Sequence, residues 1–313
     1  MEDPVRLPDA RLMASVTEHE PGPINLRQED PHAQRLLAGQ SRLYSDAKHI
    51  RRFRLPVTFG LAALSVLAGL AFPDARPALG LAGALVSLGW SALAFGPERR
   101  KRMTAAATQE EFDCYVFDLP WKSSAVDHPS ATTIAEAAGR YKGNRLAGWY
   151  PRTGPLPRPL DVLVCQRSNL GWGTAAHRQY ATFLTGVLVA LFLMVGIVIW
   201  LVDDGIFIVL PLAAPAKDLF ELGREHRTSA ESKDNAEAKA RKVWDQALAD
   251  PSAVTLSDCR DIQDLILTTR RNNASVPDWF DNRRRNTYET SMRQSTEHYI
   301  EQAIAAGRAW TTE

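Results

Sequence analysis

ATFLTGVLVALFLMVGIVIWLV, residues 181–202, is followed by Asp203-Asp204-Gly205 and then by IFIVLPLAAPA, residues 206–216. The reading of this stretch decides the fold. Its first part is an uncharged apolar run, and about twenty residues at 1.5 Å each cross a hydrocarbon core of ~30 Å. Soluble helices of that length usually keep one polar face, and this run has none. The two carboxylates and the glycine form a polar turn, so the chain is expected to cross, turn and return. The returning arm is short and is interrupted by Pro211 and Pro215.

The rest of the chain bounds that reading. Of 313 residues, 45% are hydrophobic, yet the mean hydropathy is -0.23, too polar for a protein mostly sunk in lipid. Both facts fit if apolar residues are concentrated in a few spans and the remainder faces water. A net charge of +1 gives no global field for nucleic acid. Cys114, Cys165 and Cys259 are far apart, with no C-x-x-C pair, which argues against a disulfide framework or a zinc site. No apolar run occurs before residue 55, so no secretory signal is expected.

Working outward, Leu55–Phe72 and Ala78–Phe95 read as two further spans joined by Pro73-Asp74-Ala75-Arg76-Pro77. Gly83, Ser87 and Ser91, and likewise Ser65 and Gly69, repeat at i, i+4, the stripe that lets membrane helices approach closely. With the hairpin 181–217 this predicts four transmembrane helices. Basic flanks set the orientation. Lys48, Arg51, Arg52 and Arg54 precede the first span, and Arg99, Arg100, Lys101 and Arg102 follow the second. His177 and Arg178 precede the third, while Lys217, Arg224 and Arg227 follow the fourth. The turns carry Arg76 alone or no base, so both termini and residues 97–180 are expected on the cytoplasmic side of a multi-pass protein.

The expected organisation is a cytoplasmic segment and helix at 1–54, hairpins at 55–96 and 181–217, a sensor segment at 97–180 and a helical segment at 218–313. The whole predicts an α-helical membrane protein whose N-terminal, central and C-terminal segments together build an α+β cytoplasmic domain. The strands are expected at Phe112–Phe117, which alternates, and at Leu160–Cys165. Helices are expected at 218–250, 256–271 and 278–306, with Thr255 and Asp258 forming a capping box.

No catalytic signature is present: there is no P-loop, no H-E-x-x-H and no paired-carboxylate motif. Cys165 and His177 stand twelve residues apart and specify no nucleophile–base geometry. The chain is therefore expected not to be an enzyme and to need no metal or cofactor. Polar and aromatic residues are more suggestive. Trp121 ends one strand-like run, and Gln166, Arg167 and Asn169 with Trp172 follow the other; Arg283, Arg284 and Arg285 come just after Trp279 and Phe280. Arginine forks suit phosphate, and aromatic faces suit a nucleobase. The competing reading assigns these residues to salt bridges, helix caps and lipid phosphates.

Four phrases carry a resemblance: LLAGQSRLYSDAK at 36–48, EFDCYVFDLPWKSS at 111–124, VCQRSNLGW at 164–172, and IQDLILTTRRNNASVPDWFDNRRRNTYETSM at 262–292. In this order around two membrane hairpins they resemble the bacterial S-4TM family, effectors regarded as pore-forming and encoded beside cyclic-oligonucleotide synthases in anti-phage defence. The resemblance runs from about Ile24 to Met292. Gly171–Ala176 departs from it, since the family pattern there is more polar and acidic. It implies a cyclic di- or oligonucleotide, made by a neighbouring synthase, as the activating ligand. It further implies a leaky bacterial inner membrane as the outcome and arrest or death of the infected cell as the benefit. Trp121, Gln166, Arg167, Asn169, Arg283 and Arg284 are then the candidate nucleotide contacts. Asp203, Asp204, Pro211 and Pro215 are the candidate pore and gate residues. Four short spans enclose little water, so the active form is expected to be a homo-oligomer, such as a tetramer, in contact with membrane lipid. The rival is a membrane-anchored enzyme or scaffold whose spans only tether it.

Overall fold

In the computed structural model the described residues are 22–144, 146–171, 174–272, 276–281 and 285–309; the side chains of 278, 281 and 285–289 are not described. After the single turn α1 (Ile24–Arg27), Asp30 accepts from the His32 amide at 2.7 Å and caps α2 (Pro31–Ala71). Pro31 at the first helical position suits the cap, because its missing N–H would have had no intrahelical partner. A 3-10 turn at Pro73–Ala75 reverses the chain into α3 (Arg76–Phe117). These two helices, 41 and 42 residues long, pair as a hairpin whose far half is apolar and whose near half continues into the polar part of the molecule.

Small residues hold the membrane part together. A Cβ on Gly83 would collide with the Ser65 side chain, and one on Gly80 with the Phe207 carbonyl. Gly83, Ser87 and Ser91 are buried, so the stripe read in the sequence lies at a helix contact.

Next come α4 (Ala131–Gly139), α5 (Leu160–Gly171) and α6 (Thr174–Leu201). The returning arm is α7 (Gly205–Val209), a 3-10 turn at Leu210–Leu212, and the start of α8 (Ala213–Ala249). Among the described residues three helices are long and apolar enough to cross a membrane, within Pro31–Ala71, Pro73–Phe117 and Leu160–Leu201. The arm is not a fourth helix of that kind, because it changes helix type at Pro211 before α8 begins. It fills the groove beside the first hairpin, with Ile208, Val209, Pro211, Ala214 and Pro215 buried.

Past the membrane part, α8 continues as a charged helix. It packs on α9 (Leu256–Asn272); the single turn α10 (Asp278–Asp281) and α11 (Arg285–Ala305) follow. The capping box forms as read: the Thr255 amide donates to Asp258 Oδ2 at 2.8 Å, and the Ser257 amide to Thr255 Oγ1 at 3.2 Å.

The expected α+β domain is corrected to an all-helical one among the described residues. Phe112–Phe117 is the last turn and a half of α3, and Leu160–Cys165 is the first half of α5. Both runs are buried on nearly every side, so neither shows the one-sided period that marks a surface helix. Together with Trp244 and Ile262 they build the main hydrophobic core.

Candidate functional site

A cleft of about 550 Å³ opens between α3, the 123–130 loop, the start of α4 and the end of α9. Met103, Thr104 and Ala107 of α3 form one wall, and Ser123, Ser124, Asp127 and His128 of the loop form another. Ser130 and Thr133 at the start of α4, with Arg271, complete it. The volume lies in the range usual for small-molecule sites. Its polar groups suit an anion. Ser130 stands at the N-cap of α4 without a side-chain cap bond, so the first-turn amides of that nine-residue helix lack a side-chain acceptor. Arg271 donates from Nη1 to the Ala125 carbonyl at 2.7 Å, which ties α9 to the loop. Beside the cleft, Trp121 stacks on His128 with centroids 4.0 Å apart and planes 19° from parallel. The loop is pinned from below by the ion pair of Lys122 with Asp264.

Beneath the cleft lies a buried polar network between α3 and α9. Gln263 donates to Glu110 at 2.9 Å and to Asp113 at 2.7 Å, and Arg270 donates to Asp113 at 2.5 Å. Arg260 pairs with Glu110 and Asp264. Tyr150 donates its hydroxyl to Asp113 at 2.6 Å. Burial, reinforced by Asp113, pushes the Glu110 carboxyl up, while Arg260 and Arg270 pull it back. The network joins two helices in one register, because a buried charge left unpaired is costly.

The candidate nucleotide contacts divide. Trp121 stands beside the cleft. Gln166 is fully buried on α5, where it donates to the Cys259 carbonyl at 2.8 Å and to Gln263 at 3.2 Å. Asn169 donates to the Tyr150 hydroxyl at 3.0 Å. Arg167 is buried with its guanidinium 3.7 Å from the Tyr299 ring centroid, and it donates to that residue's hydroxyl. Gln166 and Arg167 join α5 to α9 and α11, and Asn169 joins it to the loop residue Tyr150; none of the three lines the cleft. Trp172, Arg283 and Arg284 lie outside the described residues. Of the cleft residues missed in the sequence, Ser123, Ser124 and Arg271 fall inside the phrases that carried the resemblance, while Asp127, His128, Ser130 and Thr133 fall outside them. A pair of serines after Pro-Trp-Lys was the available signal.

The imagined Cys165–His177 pair does not form. Cys165 lies in the core, where burial pushes its thiol well up. His177 meets His226 instead, Nδ1 to Nδ1 at 2.8 Å.

Between the cleft and the membrane part sits a second charged cluster. Glu98 of α3 pairs with Arg51, with Arg54 at 3.5 Å and with Arg102 at 4.0 Å. Glu225 of α8 meets Arg51 at 3.5 Å and Arg102 at 3.8 Å. Asp218 accepts from Ser91 at 2.6 Å and lies 4.0 Å from Arg54. Three arginines and three carboxylates thus clamp α2, α3 and α8 where they leave the apolar region. At the opposite end, Asp203 and Asp204 are exposed in the turn. Arg76 reaches that turn from the other hairpin, donating to the Asp203 carbonyl at 3.1 Å and to the Gly69 carbonyl at 3.0 Å. The expected base-free turn therefore has a base beside it, and the two hairpin turns lie together.

A probable CBASS effector molecule of Bacillus cereus (strain VD146) is 26% identical over 183 residues, which cover 56% of this chain and 61% of that protein. The match thus spans less than two thirds of that relative's length. No solved structure matches. The SMODS-associating 4TM effector domain matches residues 22–299, nearly the whole of the described molecule, and the chain belongs to that family.

Proposed function

We propose that this protein is a membrane effector of bacterial anti-phage defence that binds a cyclic di- or oligonucleotide through the cleft beside Trp121 and then permeabilises the inner membrane. The observation that carries the reading is the continuity of α3. One uninterrupted helix supplies a cleft wall at Met103, Thr104 and Ala107, the clamp residues Glu98 and Arg102, and the apolar span before them. Pro97 lies inside that helix, between the clamp and the span, so a ligand that moves the cleft end passes the movement to the span across a proline position.

The cleft chemistry suits such a ligand. Arg271, the serine and threonine hydroxyls and the first-turn amides of α4 match phosphate oxygens. The His128–Trp121 stack offers a face for a nucleobase, and Asp127 can accept from an amino group or a ribose hydroxyl. The action is one of binding and rearrangement, with no bond made or broken by the chain. A relative named as a probable CBASS effector is consistent with a messenger supplied by a neighbouring synthase. In this reading the broken arm from Gly205 to Ala216 is the fourth crossing, copies assemble to enclose the pathway, and both termini lie in the cytoplasm.

Calorimetry on the detergent-solubilised full chain with a panel of cyclic di- and trinucleotides tests the site, and dye release from liposomes tests the outcome. Arg271→Ala should weaken binding of the active nucleotide by about 1.5–3 kcal/mol, the worth of a charged hydrogen bond. Dye release that needs no nucleotide, or an Arg271→Ala affinity equal to wild type, would remove the cleft from the mechanism. Nucleotide binding without any leak would favour the tether reading instead.

A further inference from the structure

The segment after α9 meets the membrane part again through two aromatic residues on α10. Phe280 lies 5.0 Å from Tyr180 and 6.1 Å from Phe183, ring to ring. With Val276 it packs on a cluster of Tyr180, Leu184, Leu219 and Leu222 that also takes in Leu55 and Phe59. The segment thus packs on the first turns of α6 and α8, at the cluster that the middle of α2 also meets. Trp279 meets Phe183 edge-on at 6.0 Å and Tyr180 at 6.4 Å. More than half of it is exposed (53%), as is 45% of Phe183.

Its level along α6 is informative. Tyr180 and Phe183 bracket Ala181, where the uncharged run begins. Trp279 is therefore held where that helix leaves the hydrocarbon. Phe53 precedes the cluster residue Leu55 by two positions, and Phe220 directly follows Leu219; both are exposed. Exposed bases stand among them at Arg52, Arg224 and Arg227. Indole rings mixed with bases at the mouth of a span are the composition of a bilayer interface, where an apolar ring body and a polar edge are both accommodated. A water-soluble partner would leave the neighbouring apolar surface of α6 uncovered, whereas the bilayer surface covers both together.

We infer that α10 is an interfacial anchor: Trp279, resting on Tyr180 and Phe183, is embedded in the phospholipid headgroup layer at that end of α6. This rests on the membrane character of the chain and not on nucleotide binding. It adds a third attachment, after the two hairpins, and places it eight positions beyond the cleft residue Arg271 in the sequence.

The test uses the full chain in phosphatidylglycerol–phosphatidylethanolamine vesicles. Trp279→Cys is labelled with an environment-sensitive fluorophore; the native Cys114, Cys165 and Cys259 are buried and compete poorly for the label. Trp149→Cys, on the cytoplasmic mass, serves as reference. The expected result at 279 is blue-shifted emission, quenched more strongly by nitroxide on the headgroup than by nitroxide deep in the acyl chain. The reference should respond to neither. A water-like spectrum at 279 overturns the anchor, and so does a blue-shifted one indifferent to both nitroxides, which would mean coverage by a second copy. Photoreactive headgroup lipid with the unmodified chain gives an independent reading: attachment on the peptide holding 276–281 is expected, and attachment on the spans alone contradicts it.

Discussion

Glu98 faces three guanidinium groups, and its neighbours make the cost of losing it predictable. Removing one partner from a buried ionic cluster leaves the others desolvated and uncompensated, at roughly 3–5 kcal/mol. Glu98→Gln keeps the shape and deletes the charge, so Arg51, Arg54 and Arg102 retain only Asp218 and Glu225. Asp234→Asn, at the exposed pair with Arg178, should shift stability by no more than about 1 kcal/mol. Thermal unfolding in detergent checks both, and equal shifts for the two would mean that the clamp is not held by charge. The histidine pair makes a second prediction at this scale. Burial, with Arg51 and Arg102, holds His226 down at about 3; burial, with Lys233 and His226, holds His177 lower still. Both folded values lie below the unfolded value of ~6.5, so the unfolded chain binds more protons in between. Stability is fully present above about pH 6.5 and is lost as pH falls towards 3, by up to about 1.4 kcal/mol per unit for each histidine. Melting midpoints between pH 7 and 4 should decline for the wild type and flatten in His177→Gln/His226→Gln. A level wild-type profile would show that the pair is already open to water.

Among the elements, the returning arm offers the sharpest contrast with a plain helix. Pro211 sits in the 3-10 turn Leu210–Leu212, and a Cβ on Gly83 would lie 3.1 Å from its ring. Pro215 is buried in the first turn of α8, where a proline costs no intrahelical bond. The break therefore belongs to Pro211. Replacing both prolines with Ala should let α8 extend backwards through the turn and bias the arm towards one state. Liposome flux should then lose much of its dependence on ligand, while affinity at the distant cleft changes little. A variant whose flux follows ligand as the wild type does would acquit the arm as the gate. The break was legible from the prolines alone, as were the two hairpins and the capping box. The helices at 112–117 and 160–165 were not, because runs buried all round and rich in Val, Phe and Tyr carry no period. Continuity with the helical residues before 112 was the overlooked signal. The same cause displaced part of the candidate site: on a strand Gln166, Arg167 and Asn169 would stand near an edge, but on α5 they face the core. Trp121 comes to lie beside the cleft because the loop after Leu119-Pro120 brings its ring against His128.

At the scale of the whole molecule, the turn contact between Arg76 and Asp203 sets both hairpin tips on one side and the charged mass on the other. Alkaline phosphatase inserted at Asp74 should accordingly be active in the periplasm and fused at Arg140 inactive; activity at Arg140 would reverse the orientation. The membrane part also has an unusual balance of surfaces. Only 6% of the apolar window in the third long helix is buried within the chain, against 28% in the second. The broken arm sits in the groove of the first hairpin, so among the described residues one chain offers three long helices and a plug. Lipid satisfies such a surface in a closed monomer. In the proposed pore, the exposed Asp203 and Asp204 at the tips are the carboxylates available to face water. Bringing them together from several copies concentrates negative charge and favours cations. Leak should therefore rise more steeply than linearly with protein-to-lipid ratio at saturating nucleotide, and Asp203→Asn with Asp204→Asn should reduce cation preference without abolishing flux. A leak strictly proportional to protein, with no cation preference to lose, would instead describe single chains disrupting the bilayer.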